Sequence, residues 1–181
     1  MTPGDVPFRC RAVAALLLLL LVSFAARSAD RTWTGAGSDG NWSTAANWGG
    51  AAPVPGDVLV FPSGAANKVT INDFGVGTPF DAIQIGDNAY TFGGSAIRIA
   101  SGINTSYAAG TVVFPLDAAL DGNAAVAIGA GATLVCTGVL ADGVGTGALA
   151  KSGGGTLELG GATADNTFRT LFALEGLTLL N

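Results

Sequence analysis

Side chains that could act as acids or bases are few in this sequence, and they are spread out. The chain has no histidine, which excludes histidine-based triads, histidine-ligated zinc and histidine proton shuttles. Cleavage of a polysaccharide needs clustered carboxylates. The nearest approach is Asp117 with Asp121-Gly122-Asn123, and Arg98 lies about one repeat before them. Because such aspartates are also typical of turns, we predict no catalytic residue.

No pattern of residues indicates a metal or a cofactor. Gly35, Gly37 and Gly40 formally match a dinucleotide-binding motif, and Asp57 lies near the expected acidic position. That motif also needs a strand before it and a helix after it, and the neighbouring prolines do not favour one. The calcium-binding nonapeptide of secreted β-rolls is absent. The aspartates expected in turns are Asp87, Asp117, Asp121, Asp142 and Asp165.

The three tryptophans, Trp33, Trp42 and Trp48, lie within a short glycine-rich segment. Exposed tryptophan rings stack on sugar faces and anchor interfaces, so these residues could form a small ligand-stacking patch for a surface glycan. The alternative is that the rings close the first repeat of a stacked fold, which has no preceding neighbour. We favour the cap, because terminal repeats are expected to be atypical.

Residues 1–29 are typical of a secretory signal peptide. Arg9 and Arg11 precede an apolar stretch that contains six consecutive leucines, and small residues follow it. The three regions of a signal peptide are thus present, and the stretch is shorter than the ~20 residues of a membrane span. A retained membrane anchor is the alternative. Cys136 is the only cysteine outside this leader, and we expect it to be a small buried apolar residue.

The composition favours short strands joined by tight turns. Glycine accounts for 28 of the 181 residues, and charged residues account for 12%, which is low for a soluble domain. A helical turn is expected only at residues 44–47 and in the leader. Without the leader, which carries three arginines and Asp5, the net charge of −5 becomes −7. We therefore predict no nucleic-acid partner and no anionic membrane surface.

Pairs of threonine and an apolar residue recur at nearly constant spacing along the chain. Their period near 22 predicts a coil of short strands in which successive coils stack in parallel. The last three pairs are the strongest evidence for a repeat, because they share small residues before the threonine and an apolar residue after the pair. The pairs are Thr70-Ile71, Thr91-Phe92, Thr111-Val112, Thr133-Leu134, Thr156-Leu157 and Thr178-Leu179.

The chain is thus divided into the leader, a tryptophan-rich N-terminal cap segment at 30–57 and solenoid repeats at 58–181. The last threonine pair falls at the end of the sequence. Because an uncapped solenoid exposes a strand edge, we expect this chain to be part of a longer protein or to be covered by a partner.

Residues 149–161 read Leu-Ala-Lys-Ser-Gly-Gly-Gly-Thr-Leu-Glu-Leu-Gly-Gly. This stretch resembles the autotransporter-associated β-strand repeat of bacterial surface proteins, with Gly160 in place of the usual serine. The likeness extends over about residues 31–181. It implies an all-β, right-handed parallel β-helix displayed outside the cell, and it gives Lys151 a place in the repeat without a catalytic role.

We expect an exported structural β-solenoid, secreted or on the surface of a Gram-negative-type bacterium, acting as a scaffold or adhesin-like stalk. Its partners would be surface glycans or other surface proteins. Membrane contact is expected only through an uncleaved leader or through a C-terminal domain outside this sequence. The alternative is a carbohydrate-binding or polysaccharide-degrading β-helix. We predict no enzyme and no cofactor.

Overall fold

The computed structural model describes residues 28–145, 148–160, 166–167 and 170–180. The predicted signal peptide, apart from its last two residues, lies outside these ranges, as does Asp165. Within the described ranges we find no helix with the length and hydropathy of a membrane span.

The fold is all-β, as predicted. Its strands are short because glycine, proline and aspartate interrupt the apolar runs. The described residues contain one 3-10 helix, at Ala45–Trp48, one residue beyond the expected helical turn. The strands are β1 (Asp30–Thr32), β2 (Val58–Phe61), β3 (Val69–Asn72), β4 (Thr78–Ile85), β5 (Thr91–Gly94), β6 (Ile97–Thr105), β7 (Gly110–Phe114), β8 (Ala118–Leu120), β9 (Ala125–Ile128), β10 (Ala132–Cys136), β11 (Leu140–Asp142), β12 (Leu149–Ser152), β13 (Thr156–Leu159), β14 (Leu171–Ala173) and β15 (Leu177–Leu180).

All pairs between these strands are parallel, and they form three faces that the chain visits in turn. The first face stacks β1, β2, the second halves of β4 and β6, β9, β12 and β14. The second face stacks β3 on β5, and then β7, β10, β13 and β15. The third face stacks the first halves of β4 and β6, β8 and β11. One circuit of the faces is a rung, and stacked rungs make a parallel β-solenoid.

The length of a rung agrees with the period of the threonine pairs. On the second face Thr111, Thr133 and Thr156 stand in register in three successive rungs. On the third face Leu140 stands opposite Ala118, and these two residues are as far apart in the sequence as Thr111 and Thr133. The sequence period is therefore the length of one circuit.

The threonine pairs are not equivalent at the two ends of the series. Thr156 stands opposite Leu177 instead of Thr178, and Thr70 stands opposite Phe92 instead of Thr91. The threonines of the last two pairs are therefore offset by one residue in the stack. Side chains alternate along a strand, so a turn that differs by one residue moves the threonine to the opposite side of the sheet.

The core is a set of apolar columns inside the three faces. On the first face Leu59, Ile83, Ile103 and Val126 follow one another in register and are fully buried. Each such side chain contributes roughly 1.5–3 kcal/mol by leaving water. Because each rung covers the apolar face of the previous one, the core runs without a break along the stack.

A sharp bend separates the third face from the first within β6. Gly102 at this bend has φ of +138°, and an added Cβ would overlap the backbone of Ala125 in the next rung. Glycine alone combines this backbone conformation with so close an approach. The bend directs residues 97–99 to the third face and residues 102–105 to the first.

Candidate functional site

The three tryptophans lie inside the molecule. Trp33 and Trp42 are 0% exposed and Trp48 is 6% exposed. The ring centroids of Trp33 and Trp48 are 5.0 Å apart, and those of Trp42 and Phe61 are 5.6 Å apart. Stacking on a sugar requires an exposed ring face. A ligand could reach these rings only if the N-terminal cap segment opened.

Hydrogen bonds and strand pairs fasten this segment to the first full rung. The Trp33 indole donates to the carbonyl oxygen of Asn67 at 2.6 Å, and the Trp48 indole donates to that of Trp42 at 2.8 Å. Strand β1 pairs with β2, and Asn41 bridges to Ile71 on the second face. The cap segment therefore contributes an incomplete first rung.

The glycine motif within the cap segment serves close packing. Gly35 has φ of +61°, and an added Cβ would overlap the backbone of Asn67. A Cβ on Gly37 would crowd the side chain of Asn47, which is buried and donates to Asp39 at 3.1 Å. Strand β1 precedes this motif, but the 3-10 helix that follows has only four residues, so the motif lacks the helix that a dinucleotide site requires.

Asp57, the formal acidic partner of that motif, is a buried anchor for the cap segment. It accepts hydrogen bonds from the backbone amides of Val54 at 3.0 Å and Ala29 at 3.1 Å, and it pairs with Arg31 at 2.8 Å. Burial alone would raise the pKa of Asp57, but these donors hold it below its usual value. The carboxylate is therefore ionised at neutral pH and ties β1 to the start of β2.

The predicted acidic cluster links successive rungs. Asp117 accepts a hydrogen bond from the amide of Val139 at 2.8 Å. Asp121 accepts one from the amide of Val144 at 2.7 Å and also pairs with Arg98 at 2.7 Å. Each carboxylate therefore caps a backbone donor of the following rung. This arrangement stabilises a stack.

Asn123 and Asp87 also make contacts between positions about one rung apart. Asn123 accepts a hydrogen bond from the amide of Ala148 at 3.3 Å, and Asp87 pairs with Lys68 at 2.8 Å. Asp142 lies at the end of β11. No group of three or more cysteine, aspartate or glutamate side chains that could hold a metal occurs within the described ranges.

Lys151 occupies an inward position on the first face and is fully buried, opposite Val126. Its ammonium donates to the carbonyl oxygens of Gly153 in the same rung and of Glu175 in the next, the latter at 2.8 Å. Burial lowers the pKa of Lys151, and the charge of Glu175 opposes this shift. The ammonium thus joins two consecutive turns.

Cys136 is buried at the end of β10 with its thiol free. Burial raises the pKa of the Cys136 thiol to about 12. The thiol is protonated at neutral pH and unreactive, so the prediction of a small buried residue is confirmed.

An uncharged surface groove lies where the first face turns toward the second, and sequence reasoning did not find it. We call it the Gln84 groove. Its volume is about 400 Å³, within the range of roughly 300–1,000 Å³ of small-molecule sites. It is lined by Val60, Phe61, Pro62, Ser63, Gln84, Gly86 and Ser106.

Strand register brings these groove residues together from three rungs. Gln84 stands opposite Val60 on one side and opposite Asn104 on the other. The residues that leave each strand follow the same register, which places Gly86 between Pro62 and Ser106. No short motif marks this set, because its members are separated by whole circuits of the chain.

Comparison of the chain with family models, with curated proteins and with solved structures gives no match.

Proposed function

We propose that the chain is an exported structural β-solenoid segment of a bacterial surface or secreted protein and acts as a scaffold or adhesin-like stalk. One observation carries the proposal: the polar side chains considered for catalysis are engaged in contacts between rungs. Asp117 and Asp121 each bond the backbone of the following rung, as does Lys151, which the repeat already accounts for. The likeness of residues 149–161 to repeats of surface proteins supports export.

The distribution of charge suits a scaffold. On the third face the outward column runs through Pro79, Arg98, Ala119 and Ala141, with a single charged member. Asp87, Asp117 and Asp121 lie in the turns between faces. A column with so few charges suits contact with another surface, and added rungs lengthen the stack.

Export can be tested by expressing the full-length chain in a Gram-negative host and separating its compartments. We expect the protein outside the cytoplasm with its N-terminus near Asp30, as determined by N-terminal sequencing. A cytoplasmic protein that retains Met1 would contradict export and, with it, the scaffold proposal.

The second candidate function is carbohydrate binding or degradation, and the Gln84 groove is the observation that favours binding. Degradation is tested by incubating the protein with neutral and uronate-containing polysaccharides and measuring new reducing or unsaturated ends. Depolymerisation that disappears in both Asp117→Ala and Asp121→Ala would replace the scaffold proposal with an enzyme.

A further inference from the structure

We propose that the Gln84 groove binds one unit of a neutral saccharide, through the Gln84 amide, the hydroxyls of Ser63 and Ser106, and the apolar surfaces of Val60 and Pro62. The site goes beyond a scaffold role and does not depend on export.

The polar groups of the groove are free to bind a ligand. The side chains of Gln84, Ser63 and Ser106 have no hydrogen bond to any other residue that the structure describes. A primary amide donates and accepts, and a hydroxyl does both. A sugar hydroxyl also does both, so three such groups around one groove match a polyol better than they match an ion.

The absence of charged side chains from the groove favours a neutral ligand. No acidic or basic residue lines the groove. Asp87, which follows Gly86, is paired with Lys68 at 2.8 Å, so neither charge is available to a ligand. An ionic ligand would lose its hydration here without gaining an opposite charge. Val60 and Pro62 offer apolar contact to the C–H surface of a sugar ring, as in most small-molecule sites.

The backbone around the groove is held in place from the inside. The Tyr90 hydroxyl donates to the carbonyl oxygen of Pro62 at 2.6 Å. The Gly86 amide donates to Phe61 at 2.8 Å, and the Ser106 amide donates to Ile85 at 2.9 Å. Little of the groove needs to be ordered on binding, which reduces the entropic cost of association.

Gly86 is the one lining residue of the groove without a side chain. Its φ lies outside the left-handed region, so the backbone there does not require glycine. A Cβ on Gly86 would lie 3.3 Å from the carbonyl oxygen of Phe61 and 3.4 Å from Cα of Pro62. Gly86→Ala therefore adds a methyl group to the lining and requires the backbone of Phe61 and Pro62 to move by a few tenths of an ångström.

The experiment uses the full-length chain on an array of neutral hexose and N-acetylhexosamine oligosaccharides, uronic-acid oligosaccharides and a glycine-serine peptide. Calorimetry then measures the affinity for the best neutral oligosaccharide. We expect Gln84→Ala and Gly86→Ala each to weaken binding by about tenfold or more, since each removes a hydrogen bond or the space for one. Gly75→Ala is the matched control, because its Cβ meets nothing within 4 Å in a turn remote from the groove.

Circular dichroism and a thermal melt confirm that each variant is folded. If Gly86→Ala unfolds, Gln84→Ala and Ser106→Ala decide the question. Three results would overturn the site: no neutral oligosaccharide binds, binding survives Gln84→Ala, or uronates or the peptide bind as well as the neutral sugars. A protein that remains cytoplasmic but binds neutral sugar through Gln84 would refute export while supporting this site.

Discussion

The tryptophan nitrogens of the cap segment differ in what they bond, although all three rings are buried. The indoles of Trp33 and Trp48 donate to backbone carbonyls. The Trp42 nitrogen is buried without a hydrogen-bond partner among the described residues. Burying a donor that has no partner costs desolvation free energy, and no hydrogen bond compensates for that cost. Replacing it by a carbon should therefore cost less than replacing either of the others.

We expect Trp48→Phe to lower the free energy of unfolding by about 1–2 kcal/mol more than Trp42→Phe does, because only Trp48→Phe breaks a buried hydrogen bond. Urea titration with an unchanged slope measures the difference. Trp33→Phe serves as the internal comparison and should resemble Trp48→Phe. If Trp42→Phe were the most damaging of the three, the contribution of hydrogen bonds to the cap would be refuted.

The buried ionisable groups predict a loss of stability at alkaline pH. Burial raises the pKa of Tyr107 to about 12 and that of Cys136 to about 12, and it also raises that of Tyr90. Their folded-state pKa values exceed the unfolded ones, so the unfolded chain loses these protons first as pH rises. The free energy of unfolding should therefore be constant from neutral pH to about pH 9 and fall from there to about pH 12.

Lys151 acts in the opposite direction over part of this range. Because its pKa is lowered in the fold, the unfolded chain holds this proton to higher pH than the folded chain does. The contribution of Lys151 to the free energy of unfolding therefore rises with pH up to about 10.5. Tyr90, Tyr107 and Cys136 lower the free energy of unfolding as pH rises, whereas Lys151 raises it. We therefore expect the free energy of unfolding to fall with pH overall. Tyr107→Phe should flatten the alkaline decline in urea titrations at successive pH values. A decline that is just as steep in this variant would show that Tyr107 is not one of its sources.

At the scale of the strand and the turn, Asp121 is the clearest link between rungs, and its two contacts differ in strength. The Arg98 side chain of the ion pair is 36% exposed, and such surface pairs contribute about 0–1 kcal/mol. The hydrogen bond from the Val144 amide satisfies a backbone donor and contributes about 0.5–1.5 kcal/mol. The backbone contact should therefore dominate.

We expect Asp121→Asn, which keeps an oxygen acceptor for Val144, to cost less than about 1 kcal/mol of unfolding free energy. Asp121→Ala should cost about 1–2 kcal/mol, because it removes both contacts. Thermal unfolding in low and high salt measures both effects. Equal costs for the two variants would assign the stabilisation to the ion pair, and that cost would then shrink with added salt.

The sequence predicts where the strands form better than it predicts which residues of neighbouring strands stand opposite each other. The period of the threonine pairs and the alternating strands are local patterns, and both are present in the structure. The pairing of Thr156 with Leu177 depends on the length of the turns between them, which threonine spacing does not encode. The Gln84 groove was missed for the same reason, since Gln84, Gly86 and Ser106 become neighbours only through strand register.

At the scale of the whole molecule, the stack of rungs predicts unfolding that spreads from the site of damage. Each rung contacts only its neighbours, so stability is close to a sum of local terms. Phe114 in the middle of the stack lies 5.4 Å from the Phe92 ring in one neighbouring rung and opposite Cys136 in the other. Trp42 lies at one end and contacts Phe61 and Phe80.

We expect Trp42→Ala, which costs about 3–5 kcal/mol locally, to lower amide protection in β1 and β3 and to leave β10 and β13 nearly unchanged. Phe114→Ala, a truncation of similar cost, should lower protection on both sides of its rung, in β5 and in β10. Hydrogen exchange read strand by strand distinguishes the two patterns. A uniform loss of protection in Trp42→Ala would mean that the molecule unfolds as one cooperative unit, and the description of the solenoid as a chain of nearest-neighbour contacts would then be wrong.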